Sequence, residues 1–316
     1  NGFEQTKMAL DVQGTSMALQ QTMVVVQQAE DAADAEKAEL LKPTEQPTYT
    51  PYPTYTLAPT STPEPVKTDI PAVPTEQPTQ DIQARIKSAN ILVFEDIRSY
   101  YDLVPWVNRA LGGMDFSGGK IIEVGDAVGT FMTHLNSPTK WDLIIVAAES
   151  KKGVRGEFWD IIMDHVKKDV ALVAEVWYLD ETANGRIAPL LSKCGIEFQR
   201  DWTSDEPNPL GRSLYWLDSG HELFSNPNVV PPLFTSVPWW VGDIGDQIRL
   251  GAGGDAQLLA GRILREKSQY GTLATCLEGR VIFQTFSTHD YRQSQMIPLW
   301  QNYITYTLTN RFKKVP

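Results

Sequence analysis

The sequence predicts a doubly wound α/β domain on a parallel sheet at residues 88–316, held at the end of a non-globular arm. Three observations predict it. Beyond residue 90, short and almost wholly apolar runs alternate with stretches of helical period, the mark of repeated βαβ units. Residues 42–80 hold ten of the 21 prolines, ten threonines and no glycine, a composition that cannot build a core. Residues 1–41 hold no proline and are rich in Ala, Gln, Glu, Met and Leu, which favour helix. The chain therefore divides into a helical stalk at 1–41, a Pro/Thr-rich extended spacer at 42–87 and an α/β domain at 88–316.

The stalk comes first. Val12, Leu19, Val26, Ala33 and Leu40 recur every seven residues, with Met8 and Ala29 at the accompanying offset of four. That is a seam of 3.5-residue period, interrupted where Thr15, Thr22 and Glu36 occupy the second offset. A long helix with nothing local to fold against takes its stability from packing an apolar face. Met8, Val12, Leu19, Val26 and Leu40 are thus candidate assembly positions, and the expected partners are copies of the same chain.

In the spacer, Pro-Thr-Glu-Gln-Pro-Thr occurs twice, at 43–48 and 74–79. Prolines at this density forbid helix and favour polyproline II, which at about 3.1 Å per residue reaches on the order of 120 Å. Thr48, Thr50, Thr54, Thr56 and Thr60 are candidate O-glycan acceptors, while no Asn-x-Ser/Thr sequon with an acceptable middle residue occurs. Residues 48–56 interleave Thr, Tyr and Pro, which suits lying along a groove or adding to a sheet edge on a neighbour.

In the α/β domain, Ile91-Leu92-Val93-Phe94 reads as a buried strand ending in Glu95-Asp96. Leu103, Val104, Val107 and Leu111 mark a helix; residues 120–124 and 141–148 are the next strands. Phe158, Ile161, Ile162, His165 and Val166 mark one face of a helix, and 170–177 is another strand. Prolines loosen the pattern through 200–250. Regularity returns with an expected helix at 256–266, a strand at 280–286 and a closing helix at about 294–310. The whole is flavodoxin-like.

Trp141-Asp142-Leu143-Ile144-Ile145-Val146, the helix after it, Val170-Ala171-Leu172-Val173-Ala174-Glu175 and Gly279-Arg280-Val281-Ile282-Phe283-Gln284-Thr285-Phe286-Ser287-Thr288-His289-Asp290 resemble the class I glutamine-amidotransferase-like superfamily, its trehalose-utilisation-like branch above all. The resemblance implies a nucleophilic Cys on a glycine-flanked elbow and a downstream His base. This chain has Glu175 where that nucleophile would stand, without flanking glycines, and His289 at the position resembling the base. Without a thiol there is no glutaminase acyl-enzyme, so amidotransferase activity is not expected.

Glu175 and His289 are the candidate catalytic residues, expected to face each other across the strand ends as a relic, a weak metal site, a hydrolytic pair or simply a hydrogen-bonded pair fixing two loops. Asp290, His221-Glu222 and Glu95-Asp96 are candidates for the same rim. His221-Glu222 lacks the second His of a zinc helix, Gly251-Ala252-Gly253-Gly254 has no Lys-Ser/Thr after it and reads as a turn, and neither metal nor cofactor is expected. Trp202, Trp216, Phe234, Trp239 and Trp240 suit either a sugar platform or a subunit interface. Cys194 and Cys276 are either one disulfide or two buried thiols.

A net charge of −11 repels phosphate backbones, which argues against nucleic acid as a partner. No run approaches the roughly 20 apolar residues of a membrane span; Met23 to Val26 lies between glutamine pairs. The chain starts at Asn1 rather than Met, so a removed or preceding signal or anchor is expected, and with it an extracellular, cell-surface location. The functional expectation is a structural subunit of a surface filament or sheath built from an inactive domain. The alternative is a surface-tethered carbohydrate-active or carbohydrate-binding protein working through a Glu175/His289 rim, with surface glycans as partners.

Overall fold

The computed structural model describes residues 80–96, 103–149, 155–203, 209–234, 242–262 and 269–315. The chain divides into Asn1–Thr79 and Gln80–Pro316, so the expected stalk seam and the O-glycan candidates lie outside the described residues. The second unit begins earlier than the sequence suggested. Gln80–Lys87 is not spacer but a helix, α1, whose Ile86 is buried in the core and whose Arg85 donates to the carbonyls of Phe312 (3.2 Å) and Val315 (2.7 Å). Proline-free from Gln80 on, this stretch is free to take the helix that the Pro-rich text before it forbids.

The elements that follow are β1 (Ile91–Glu95), α2 (Trp106–Gly112), β2 (Ile121–Glu123), α3 (Val128–Leu135), β3 (Leu143–Ala148), α4 (Phe158–Lys167), β4 (Ala171–Val176), α5 (Leu179–Thr182) and α6 (Ala188–Cys194). Then come β5 (Ile196–Thr203), β6 (Leu214–Trp216), β7 (Asp243–Leu250), β8 (Gln257–Arg262), β9 (Tyr270–Gly271), β10 (Leu273–Cys276), β11 (Val281–Gln284) and α7 (Gln293–Lys314). The main sheet has eight strands in the order β2-β1-β3-β4-β11-β10-β8-β6. Its first five strands are parallel, with Ile91 opposite Leu143, Leu143 opposite Ala171 and Leu172 opposite Val281. The last three run antiparallel.

Every residue of β1, β3, β4 and β11 is buried, which is why these strands read as continuous apolar runs: helices cover both faces. Alternate residues serve opposite cores. Ile91, Val93, Ile145, Val173 and Ile282 pack with Trp106, Leu299, Trp300, Tyr303 and Ile304 of α2 and α7. Leu92, Phe94, Ile144, Val146, Leu172 and Phe283 pack with Phe131, Phe158, Ile162 and Leu191 of α3, α4 and α6. At about 1.5–3 kcal/mol for each fully buried large aliphatic or aromatic side chain, these two layers are the main stabilising term of the domain.

Two further departures concern β structure. Residues 256–266 were expected as a helix, yet Gln257–Arg262 is strand β8, paired antiparallel with β10 and β6. Its Gln, Leu and Ala favour helix locally, but Leu258, Leu259 and Ala260 are buried by strand partners on both sides, and packing overrides propensity. A second sheet, β5-β7-β9, also forms from strands that flank the proline-rich loops or follow them, and no sequence pattern marks it.

Cys194 and Cys276 form a disulfide joining the end of α6 to the end of β10 across 82 residues. The glycine run after β7 is a turn, as expected, and its geometry explains the glycines: a Cβ on Gly254 (φ +71°) would lie 2.2 Å from the carbonyl oxygen of Cys194, and one on Gly195 (φ +76°) 1.9 Å from that of Gly253.

Candidate functional site

The parallel strands converge their carboxyl ends on one polar cluster. β1 supplies Glu95 and Asp96, β3 is followed at once by Glu149, β4 carries Glu175, and a 3₁₀ turn after β11, Thr288–Asp290, carries His289. All five side chains are buried. With Trp106, Val107, Ala147, Thr288 and Trp300 they enclose a cavity of about 10 Å³, the room of one water molecule.

Glu175 and His289, expected to face each other directly, are joined through Glu149. His289 Nδ1 lies 2.8 Å from Glu149 Oε1 and its Nε2 lies 3.0 Å from the carbonyl oxygen of Val104. Nε2 faces a carbonyl oxygen that can only accept and so carries a proton, while Nδ1 faces a carboxyl oxygen. Burial alone would push the His289 pKa down; the charge and hydrogen bond of Glu149 outweigh it and hold it above the usual histidine value. Glu149 also accepts from the Ser287 hydroxyl at 2.9 Å.

Glu175 Oε1 accepts from Thr288 N–H at 2.7 Å and from Gln284 Nε2 at 2.9 Å. Its pKa is driven far above the carboxylate range by burial and then by the neighbouring Glu149 charge. The two buried carboxyl groups therefore titrate as a coupled pair in which Glu175 is pushed toward its protonated form. Glu95 caps the start of α2, accepting from the N–H groups of Val107 (2.7 Å) and Asn108 (3.1 Å), and burial raises its pKa to about 7. Glu95, Glu149, Glu175 and His289 each thus have hydrogen-bond partners inside the domain.

Glu149 escaped the sequence reading; the signal was there, since it follows the apolar strand 143–148 as Glu95-Asp96 follow theirs. Asp290 is buried in the same turn as His289 but does not line the cavity. His221 and Glu222 do not join the rim. His221 Nδ1 accepts from Leu223 N–H and its ring packs 5.2 Å from that of Tyr306, whose hydroxyl lies near Gly279, just before β11 begins. Trp202 is buried and Trp216 stacks on Phe224 at 3.9 Å, so neither stands on a platform, while Phe234 is exposed and Trp239 and Trp240 lie outside the described residues.

Nothing here forms a nucleophile elbow. Glu175 stays within the ladder, opposite Ala147 and Gln284, and both cysteines of the chain are consumed in the disulfide. A second acidic group sits on the small sheet: Asp201 and Asp246 are cross-strand neighbours, with Asp180 and Asp243 close by. Asp246 accepts from Asp180 N–H at 2.8 Å; burial first, then the charges of Asp180 and Asp201, lift its pKa to about 8, and burial with Asp201 lifts Asp243 to about 6. Among the described residues, no group of three or more His, Cys, Asp or Glu side chains has a geometry able to hold a metal ion, and no helix is long and apolar enough to cross a membrane.

No protein-family model matches the chain, and no curated protein matches it in sequence. Among solved structures, it is similar to a GMP synthase subunit from Thermoplasma acidophilum, with 8% identity, a TM-score of 0.42 and coverage of 72% of this chain and 97% of that one. A likeness at this level carries no chemistry from one protein to the other.

Proposed function

We propose that the α/β unit is a non-catalytic building block of a cell-surface filament or sheath, descended from the trehalose-utilisation-like branch of the amidotransferase-like superfamily, and that copies of the chain are its partners. The observation that carries this reading is the closed cluster at the strand ends. In doubly wound sheets that edge is where substrates bind. Here three buried carboxyl groups, Glu95, Glu149 and Glu175, and the His289 ring are tied to one another, to Ser287 and Gln284 and to backbone groups around a space of about 10 Å³. Such a network fixes loops in place; it has no thiol and leaves little room for a substrate.

The carbohydrate reading has less support, because the aromatic side chains it relies on do not assemble among the described residues: Trp202 is buried and Trp216 is stacked under its own loop. Two measurements on the full chain test the proposal. Ammonia release from glutamine and hydrolysis of a panel of nitrophenyl glycosides should match the buffer blank, and negative-stain microscopy should show ordered polymers. Turnover that disappears in Glu175→Ala, or particles that stay monomeric at every concentration, would overturn it.

A further inference from the structure

Residues 43–71 carry a period of two that a polyproline spacer does not need. All eight prolines, at 43, 47, 51, 53, 59, 63, 65 and 71, are odd-numbered, and all eight threonines, at 44, 48, 50, 54, 56, 60, 62 and 68, are even-numbered. In a polyproline II helix of three residues per turn this parity has no consequence. In an extended strand it decides everything, because the N–H and C=O of one residue point to the same side and those of the next to the other. One edge then keeps every N–H, while the other loses eight of them. Such a strand pairs on its threonine edge and blocks further pairing on its proline edge.

The structure offers an edge to match. β5 is the terminal strand of the small sheet and, among the described residues, pairs only with β7. Its eight residues, Ile196–Thr203, are close in length to residues 48–56. A groove of about 400 Å³ beside its first half is lined by Ile196 to Phe198, by Ala188, Leu191 and Ser192 of α6 and by Gly251 and Ala252 after β7. Charge is also compatible: on a chain of net charge −11, residues 46–63 contain no Asp, Glu, Lys or Arg, so this stretch approaches an acidic domain without repulsion.

We infer that residues 48–56 of one copy add as an outer strand to β5 of a second copy, with Thr48, Thr50, Tyr52, Thr54 and Thr56 facing β5 and Pro51 and Pro53 facing away. The inference rests on the self-assembly proposed above. It favours a second copy because residues 1–41, immediately upstream, are the segment expected to gather copies, which raises the local concentration of donor strands.

Proline parity supplies the test. In the full chain, Thr50→Pro with Thr54→Pro removes two N–H groups from the pairing edge, whereas Tyr49→Pro with Tyr55→Pro removes two from the blocked edge. Backbone amide exchange over residues 196–203, read alongside light scattering, should show the pairing-edge variant exchanging about tenfold or more faster than the parent, the loss of order one hydrogen bond per opened amide. The blocked-edge variant should exchange as the parent does. If the parent assembles but both variants leave exchange at 196–203 unchanged, or both change it equally, strand addition is overturned while assembly stands. If the parent never assembles, both readings fall. Parity-dependent protection that survives dilution to monomers overturns the exchange between copies.

Discussion

Both ring nitrogens of His289 meet oxygens at hydrogen-bond distance, Nε2 the Val104 carbonyl and Nδ1 the Glu149 carboxyl group. Taking away one member of such a pair leaves the other charge buried alone, at a cost of about 3–5 kcal/mol. Glu149→Gln and His289→Gln should each destabilise on that scale, and the double variant should cost clearly less than their sum; urea melts of the four proteins measure the coupling. This cluster and the acidic group on the small sheet make stability depend on pH. Glu95 and Asp246 are acids whose folded pKa values, about 7 and about 8, lie above their ordinary values of 4.5 and 3.8, and His289 is raised too. In every case the folded state binds more protons than the unfolded one over the interval, so stability is present below the unfolded value and lost as pH rises through the folded one. The thermal midpoint should therefore fall steadily from about pH 5 to about pH 8. Asp246→Asn keeps the acceptor for Asp180 N–H and removes the charge, so its midpoint should fall less and exceed the parent's at pH 8. Of this chemistry, Glu95, Glu175 and His289 were visible as polar residues closing apolar strands. Which carboxylate His289 meets was not, because contacts between strand ends depend on sheet order, which no local pattern encodes.

At the level of elements, the parallel half of the sheet was legible because each of its inner strands is buried on both faces and so writes an unbroken apolar run. The antiparallel half was not. β8 has the composition of a helix, and β5, with buried ends and a largely polar, exposed middle, shows neither period cleanly. Its bulges at Phe198/Arg200 and Trp202/Thr203 shift which side chains face inward, erasing the alternation a reader looks for. The disulfide ties the end of α6, just ahead of β5, to the end of β10 in the main sheet. By loop-closure entropy an 82-residue link contributes about 4 kcal/mol. Cys194→Ala with Cys276→Ala should lower the unfolding free energy by about that amount in a denaturant titration, with loss of protection concentrated in β5 and β7 rather than in β1, β3 and β4. An unchanged midpoint would show that packing alone fixes the small sheet.

For the whole molecule, the question is which part joins copies together. The α/β unit has its own two-layered core among the described residues. Under the proposal above, residues 1–41 form a helix whose sequence puts Val12, Leu19 and Val26 on one apolar stripe in want of a partner. Burial of each against a neighbour contributes about 1.5–3 kcal/mol, repeated in every copy along an array. A carboxylate on that stripe would have to be desolvated without a partner and would oppose the packing. Leu19→Asp should therefore yield monomers in sedimentation velocity, while the α/β unit unfolds at the parent's midpoint, because position 19 lies outside the unit that begins at Gln80. Strand addition to β5, if it forms at all in such a variant, would then have to proceed at the free concentration of chains rather than at the high local concentration a gathered stalk provides. The proposal therefore orders the two contacts, with the helix first and the strand second. A Leu19→Asp chain that polymerises like the parent would reverse that order and place the primary contact on the α/β unit itself.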